Sequence, residues 1–292
     1  MEKLTSPRVI EGILKKYNLH FNKRYGQNFL IDENVVRKIV ETGGITKDDM
    51  VLEVGPGIGT MTQILAEAAK KVYAVEIDKK LIPVLEETMK EYDNVSVVCG
   101  DVLKTNISEL LKEDLSKMPL KIVANLPYYV TTPIIMGFLE SDLPIERMTF
   151  MIQKEVGERL CAKPGTKAYG SLTIAAQFYA DTAVSFYVPS SVFMPRPKVD
   201  SIVVTFQKLA EPRITLINKA LFFKVVKASF LNRRKTLING LMMNTEYEKE
   251  LLLNVLDACG IAPGIRGETL KGEDFARIAN TLWEYTENLK DI

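Results

Sequence analysis

Histidine is all but missing from this chain: His20 is the one example in 292 residues. Cysteine is scarce too, with Cys99, Cys161 and Cys259 far apart. One imidazole and three scattered thiols make no usual zinc ligand set, so the chemistry is expected to run without a protein-bound metal. An odd number of distant cysteines argues against a disulfide framework and suits a reducing compartment. Long hydrophobic runs are lacking as well. No apolar stretch reaches the roughly 18 residues that a membrane span requires. The first turns are broken by Glu2, Lys3, Arg8, Glu11, Lys15 and Lys16, with none of the apolar centre of a secretory signal. A cytoplasmic protein with no membrane partner is the expectation. No internal repeat and no low-complexity tract occurs, which excludes solenoids and disordered linkers as the main architecture.

An excess of charge of either sign is also absent, since the formal net charge is +1. Bulk electrostatics therefore announce no polyanionic partner, but the distribution does more. Between Lys219 and Lys235 the basic residues Lys219, Lys224, Lys227, Arg233, Arg234 and Lys235 stand with no acid among them. Near the N-terminus Lys15, Lys16, Lys23 and Arg24 lie between Glu11 and Asp32. Local patches of this kind hold phosphate even when the total is near zero, although solvated helix faces give the same pattern.

What is present is an ordinary globular composition, 47% hydrophobic and 26% charged, in a chain long enough for one large domain or two smaller ones. From about residue 35 to 160, β-rich runs alternate with helical ones. Strands are expected at Met50–Val54, Val72–Glu76, Val95–Val98, Lys121–Ala124 and Met148–Ile152. Helices are expected at Met61–Ala69, Lys80–Glu91, about Pro133–Glu140 and near Lys154–Leu160. Such alternation implies right-handed crossovers and a mostly parallel sheet covered on both faces. Two further strands, Thr182–Val188 and Val199–Phe206, flank a proline-rich loop and suggest an antiparallel addition at one edge. Beyond Leu209 the pattern turns helical, at Asn218–Leu231, Tyr247–Ala258 and Glu273–Leu289. The expected fold class is α/β: a catalytic domain over 1–209 with an N-terminal arm of about 30 residues, and a small all-helical domain over 210–292.

The strongest local signal is Glu53-Val-Gly-Pro-Gly-Ile-Gly59, set between a strand and a helix. Glycines there let the backbone turn tightly and approach a ligand, and the helix that follows presents unpaired N–H groups. Gly55, Gly57 and Gly59 alternate, a spacing that departs from the G-x-G-x-x-G of dinucleotide folds. Glu76 closes the second strand, where a carboxylate can accept both hydrogen bonds of a ribose diol. Asp101 follows the third, placed to accept from an adenine amine with Val102 packed on the ring. Each acid alone is also explained as a solvated strand end. Their order across successive strand ends is what favours a nucleoside ligand.

Asn125-Leu-Pro-Tyr128 follows the fourth strand and has the N-x-P-Y form used by amino-group methyltransferases. An adenine amine is planar because its lone pair delocalises into the ring. Two neutral acceptors, the Asn125 side-chain oxygen and the Leu126 carbonyl, would draw the nitrogen toward tetrahedral geometry and aim its lone pair at a methyl group. Pro127 fixes the backbone and brings no N–H of its own. Tyr128 offers a face for the base. This is positioning and electrostatic catalysis, not attack by a protein nucleophile. An Asn-x-Pro turn with a buried tyrosine is the structural alternative.

These residues, together with Tyr25-Gly-Gln-Asn-Phe-Leu-Ile-Asp32, Gln153-Lys-Glu-Val156, Lys167-Ala-Tyr-Gly170 and Phe193-Met-Pro-Arg-Pro-Lys-Val-Asp-Ser201, resemble the small-subunit ribosomal RNA adenine N6,N6-dimethyltransferase family over nearly the whole chain. The resemblance implies a class I, Rossmann-like methyltransferase sheet with a helical C-terminal domain, and S-adenosyl-L-methionine as methyl donor. It implies that Gln27, Asn28 and Leu30 close the cofactor pocket, with Gly55, Gly57, Glu76, Ile77, Asp101, Val102 and Asn125 as the other contacts. Phe193 becomes a second aromatic wall for the target base, opposite Tyr128. The implied substrate is two adjacent adenosines in the 3′-terminal hairpin loop of 16S rRNA, within the immature 30S subunit, modified in four methyl transfers by a monomeric enzyme. An RNA loop suits the chemistry, because its bases are already partly unstacked. Lys23, Arg24, Lys224, Lys227, Arg233, Arg234 and Lys235 are the candidate phosphate contacts.

Three other readings compete. A 23S rRNA adenine methyltransferase shares donor and chemistry, but the Leu126 motif, the Phe193 loop and the long C-terminal region favour the small-subunit enzyme. A non-catalytic assembly factor that binds immature small subunits is the second, and the resemblance implies that both roles can coexist. A nicotinamide oxidoreductase would be permitted by Gly55 and Glu76 alone, but not by the glycine spacing with Asn125-Leu-Pro-Tyr128.

Overall fold

The computed structural model describes residues 3–21 and 26–288. The chain opens with helix α1 (Pro7–Lys16), a two-residue strand β1 (Phe29–Leu30) and helix α2 (Glu33–Thr42). Strand–helix alternation follows: β2 (Met50–Val54), α3 (Thr60–Ala68), β3 (Lys71–Glu76), α4 (Ile82–Thr88), β4 (Val95–Cys99), α5 (Ile107–Leu115), β5 (Leu120–Asn125), α6 (Thr131–Glu140), β6 (Ile145–Gln153) and α7 (Lys154–Leu160). After α8 (Ser171–Tyr179) come β7 (Ala180–Val188), β8 (Phe193–Met194) and β9 (Ser201–Lys208), and then α9 (Lys219–Leu231), α10 (Leu237–Asn244), α11 (Lys249–Ala258) and α12 (Gly272–Asn288).

Seven strands form one sheet in the order β4-β3-β2-β5-β6-β9-β7. The pairs β2/β3, β2/β5, β3/β4 and β5/β6 are parallel, and β9 joins β6 antiparallel. This is the mostly parallel sheet with an antiparallel edge that the alternation implied. Every residue of β2 is buried, as expected of a strand covered on both faces. One face packs Val36, Ile39 and Val40 of α2 and Met61 and Leu65 of α3 against Val51, Val72, Val123, Met151 and Val203. Asp32 caps α2 by accepting the N–H groups of Asn34 and Val35. Because successive strands are laid down to one side of β2 and then to the other, the strand order reverses between β2 and β5. Ligands in open parallel sheets sit at the carboxyl ends of the strands at such a point.

Contacts divide the chain into two compact units, residues 1–157 with 181–208, and residues 158–180 with 209–292. The second unit differs from the helical domain expected at 210–292, because it also takes in 158–180. Aromatic packing explains the difference. Phe178 lies 5.6 Å from Phe222 and 5.5 Å from Phe223, ring centre to ring centre, and Tyr169 lies 5.9 Å from Phe230. The buried Tyr169 hydroxyl also donates to the Leu270 carbonyl at 2.8 Å. α8 therefore completes the core that α9 and α12 begin, and the sheet resumes at β7. Among the described residues, no helix is long and apolar enough to cross a membrane.

Candidate active site

At the carboxyl ends of β2, β3 and β5 the first unit carries a pocket walled by Gly26–Leu30, Glu53, Gly55–Gly57, Thr60, Met61, Glu76, Ile77, Leu81, Asn125–Tyr128 and Phe193. β2 and β5 are adjacent in the sheet, which sets the glycine turn beside Asn125. Gly55 has φ +69°, and a side chain there would meet nothing within 4 Å, so its backbone is open to close approach. Gly57 has φ +65°, and an added Cβ would lie 2.9 Å from the Phe29 ring. Both glycines are thus dictated by conformation, and the second by space as well.

Glu76 ties the turn down. One carboxylate oxygen accepts the Gly57 N–H at 3.1 Å and the other accepts the Asp78 N–H at 2.8 Å. Each oxygen keeps a second lone pair for a ligand hydroxyl. Burial pushes the Glu76 carboxyl up to about 6, against the opposing effect of the N–H groups it accepts. Gln27 is held in the same network, donating to Asp78 at 3.0 Å. Glu53 stands deeper, 1% exposed, and neither of its carboxyl oxygens has a hydrogen-bond partner among the described residues. Burial drives it up to about 8, with Glu76 adding to the rise; the nearby Thr62 hydroxyl opposes it without reaching hydrogen-bond geometry.

Asn125 ends β5 with its amide nitrogen donating to the Asn28 carbonyl at 3.3 Å, while Asn28 donates to the Gly26 carbonyl at 2.9 Å. With the nitrogen so engaged, the Asn125 side-chain oxygen remains as a neutral acceptor on the pocket wall. Leu126 is buried, its N–H given to the Met151 carbonyl at 3.0 Å. Thr131 donates to the Pro127 carbonyl at 2.9 Å and fixes the turn. The Tyr128 hydroxyl shares a 3.0 Å hydrogen bond with Ser201, a buried residue at the start of β9, and burial raises the phenol above its ordinary range. Phe193 is 4% exposed and pairs across β8/β1 with Leu30. It both joins the core and lines the pocket.

The structure thus brings together Gln27, Asn28, Leu30, Gly55, Gly57, Glu76, Ile77, Asn125, Leu126, Pro127, Tyr128 and Phe193. Asp101 and Val102 stand outside that lining. The Asp101 carboxylate is turned into its own loop, accepting the Leu103 N–H at 3.1 Å with the Lys104 ammonium 3.9 Å away, and Val102 lines a separate hollow with Leu103, Ile134 and Phe138. Asp101 is still close in the chain to Cys99, which is paired with Glu76. Sequence reasoning missed Glu53 and Ser201 as site residues. The signal for Glu53 was an acid inside the continuous apolar run of β2. Ser201 was visible only as the end of the Phe193–Ser201 motif, because its role depends on a partner 73 residues away.

The basic candidates fall elsewhere. Lys23 and Arg24 lie outside the described residues. Lys224 and Lys227 are exposed on α9, with Lys224 paired to Glu246. Arg233, Arg234 and Lys235 are exposed in the turn after α9, where Arg233 pairs with Glu268 at 3.1 Å. Among the described residues, no group of three or more His, Cys, Asp or Glu side chains is placed to hold a metal ion.

The pocket fits a sulfonium nucleoside carrying an amino acid. It offers an open backbone at Gly55, a carboxylate at Glu76 for a diol, apolar walls at Ile77 and Leu81, and a neutral oxygen at Asn125. Fold and pocket together define an S-adenosylmethionine-dependent methyltransferase of Rossmann-like type. The family model described as ribosomal RNA adenine dimethylase matches residues 18–284, and the chain belongs to that family. It is 47% identical over 287 residues to ribosomal RNA small subunit methyltransferase A of Lachnoclostridium phytofermentans, covering 97% of this chain and 99% of the relative. It is 49% identical over 283 residues to the protein of the same name from Geobacillus thermodenitrificans, covering 96% and 97%. Among solved structures, a dimethyladenosine transferase from Plasmodium falciparum superposes with a TM-score of 0.72 at 26% identity, over 89% of this chain and 98% of the other. The 23S rRNA methyltransferase ErmE gives 0.66 at 28% identity, over 87% and 99%.

Proposed function

We propose that this enzyme transfers methyl groups from S-adenosyl-L-methionine to N6 of two adjacent adenosines in the 3′-terminal hairpin loop of 16S rRNA, in the cytoplasm, on the immature 30S subunit, and acts as a monomer in small-subunit biogenesis. The relatives matched over 97–99% of their length at 47–49% identity, whose name specifies the small subunit, favour this substrate over 23S rRNA. Gly55, Gly57, Glu76 and Ile77 would hold the donor, and Asp101 and Val102, which stand outside the pocket lining, would meet its adenine only with the Asp101 carboxylate released from its own loop. Bound there, the donor supplies an electrophilic methyl on a cationic sulfur that leaves as a neutral thioether.

The chain's own contribution is to hold the acceptor amine. The single observation that carries the reading is the engagement of the Asn125 amide nitrogen by Asn28, which leaves Oδ1 to accept one N–H of the amine while the Leu126 carbonyl accepts another. Tyr128, fixed by Ser201, and Phe193 would sandwich the base, with a return of about 1–3 kcal/mol from stacking. Lys23, Arg24, Lys227, Arg234 and Lys235 would meet phosphates, and Lys224 and Arg233 would do so on release from Glu246 and Glu268. Mass spectrometry of 16S rRNA from a deletion strain, before and after adding the purified protein with donor, tests the assignment. Two dimethyladenosines should appear in the 3′-terminal hairpin with the native chain. With Asn125→Ala the rate should drop by about 100-fold or more, the scale on which removal of one aligned transition-state contact is felt. Unmodified adenosines with the native chain would overturn the reading.

A further inference from the structure

Close in the chain to the pocket-wall residue Phe193, and tied by hydrogen bonds to Asp200 beside the Tyr128 partner Ser201, stand exposed cations and one exposed aromatic that the methyl-transfer site does not use. Ser201, the partner of Tyr128, is preceded by Asp200, whose carbonyl accepts the Lys154 N–H at 3.0 Å and whose carboxylate accepts the Ser190 N–H at 2.9 Å. Two backbone neighbours therefore link the expected base wall to Lys154. Lys154 is exposed, and its ammonium lies 5.4 Å from the ring centre of Tyr187, a residue of the edge strand β7 that is 56% exposed. Arg196 lies three residues beyond Phe193 in the chain. Its Nε donates to the buried Ser190 hydroxyl at 3.0 Å, which anchors the guanidinium at one nitrogen while the residue stays exposed. Lys198 is exposed on the same loop. Among the described residues, Lys154, Arg196 and Lys198 take part in no ion pair, whereas Lys224 and Arg233 in the helical unit do.

Unneutralised cations alternating with an exposed aromatic face are what a single nucleic-acid strand binds, with phosphates on the cations and a base on the ring. Two exposed acids accompany these residues, Glu155 beside Lys154 in the chain and Asp200, one of whose oxygens the Ser190 N–H occupies. We propose that Lys154, Tyr187, Arg196 and Lys198 are a docking surface for the single-stranded RNA that flanks the target adenosine, with Tyr187 stacking a neighbouring base. This rests on the RNA substrate proposed above. It adds a second contact surface, on the sheet unit itself, that holds the loop once a base has entered the pocket.

The test measures binding of the full chain, saturated with S-adenosylhomocysteine, to a synthetic RNA hairpin with two adjacent adenosines in its loop, by fluorescence anisotropy at several salt concentrations. The triple variant Lys154→Ala, Arg196→Ala, Lys198→Ala should bind roughly 10- to 100-fold more weakly, and its log–log salt slope should be shallower by about 2, since a single strand loses about 0.7 per phosphate contact. Tyr187→Ala should weaken binding roughly 5- to 150-fold with the slope unchanged, as loss of one stacked base requires. Lys154→Arg should retain the native slope, and S-adenosylhomocysteine affinity should match the native chain in every variant. Native affinity and slope in the triple variant would overturn the docking surface while leaving the proposed reaction intact. Unchanged hairpin binding with lost binding to small subunits would assign the surface to a ribosomal protein and overturn the proposal equally. A native chain that neither binds the hairpin nor methylates small subunits would remove both proposals.

Discussion

A carboxyl group buried beside a ligand is a compromise between desolvation and use, and Glu76 shows both sides of it. Its two accepted N–H bonds stabilise the anion, yet burial outweighs them and holds the group up at about 6. The anion is the form that accepts two hydroxyls of a ribose. Affinity for S-adenosylhomocysteine should therefore be full above about pH 6 and fall as pH drops through that value. The ligand-free protein should respond in the opposite sense. A carboxyl whose folded value exceeds its unfolded one favours folding more as pH falls from about 6 toward 4.5, because the folded state binds the extra proton. Titration calorimetry at a series of pH values on the native chain and Glu76→Gln separates these effects: the variant should bind weakly at every pH with no step near 6. A step that persists in the variant would place the titration elsewhere. Glu76 was legible in the sequence because a strand-end acid after a glycine turn has a chemical reason to exist. Glu53 was less so, because its character comes from being 1% exposed with two oxygens that find no partner among the described residues, and depth is a property of the folded sheet.

At the scale of elements, hydrophobic runs located β2, β5 and most of β6 because buried parallel strands are nearly continuous in apolar residues, as Met50–Val54 illustrates, whereas β7 and β9 were legible as β-branched runs flanking the proline loop. The β1/β8 ribbon escaped notice because two-residue strands have no period to read, although it sets Phe193 against Leu30 at the pocket. α8 was not among the expected helices, and nothing in Ser171–Tyr179 says which core its aromatics enter. Packing between elements can still be tested at one point. Gly157 sits in α7, and a Cβ there would lie 2.3 Å from Ile202 and 3.0 Å from Val204 of β9. Alanine is favoured over glycine in a helix by about 1 kcal/mol, so propensity alone predicts that Gly157→Ala stabilises. Overpacking a filled interface costs about 1–3 kcal/mol, and at such a distance from two β-branched side chains the upper part of that range applies. Denaturant unfolding should show a net loss of roughly 1–2 kcal/mol. A gain would mean that α7 can lift off β9 without penalty.

For the whole molecule, a net charge of +1 conceals an uneven arrangement, and the structure sorts the basic residues into spent and available ones. Lys224 is paired with Glu246 and Arg233 with Glu268, so part of the attraction expected of the 219–235 segment is already neutralised. Arg234 and Lys235, exposed in the turn after α9, take part in no ion pair among the described residues. The sequence supplied the run of cations, but not this distinction, because the neutralising acids lie 22 and 35 residues away. Charge reversal should follow the structural division. Arg234→Glu with Lys235→Glu should weaken binding to small subunits in sedimentation assays by roughly tenfold or more at 50 mM salt, and by less at 200 mM, where counterion release contributes little. Lys224→Glu, which removes a cation already matched by Glu246, should have the smaller effect on binding. S-adenosylhomocysteine affinity should be native in both, since the donor pocket belongs to the sheet unit alone. If the two variants lose binding equally at every salt concentration, then the distribution of ion pairs does not govern how this chain meets RNA, and the paired cations must exchange their partners on contact.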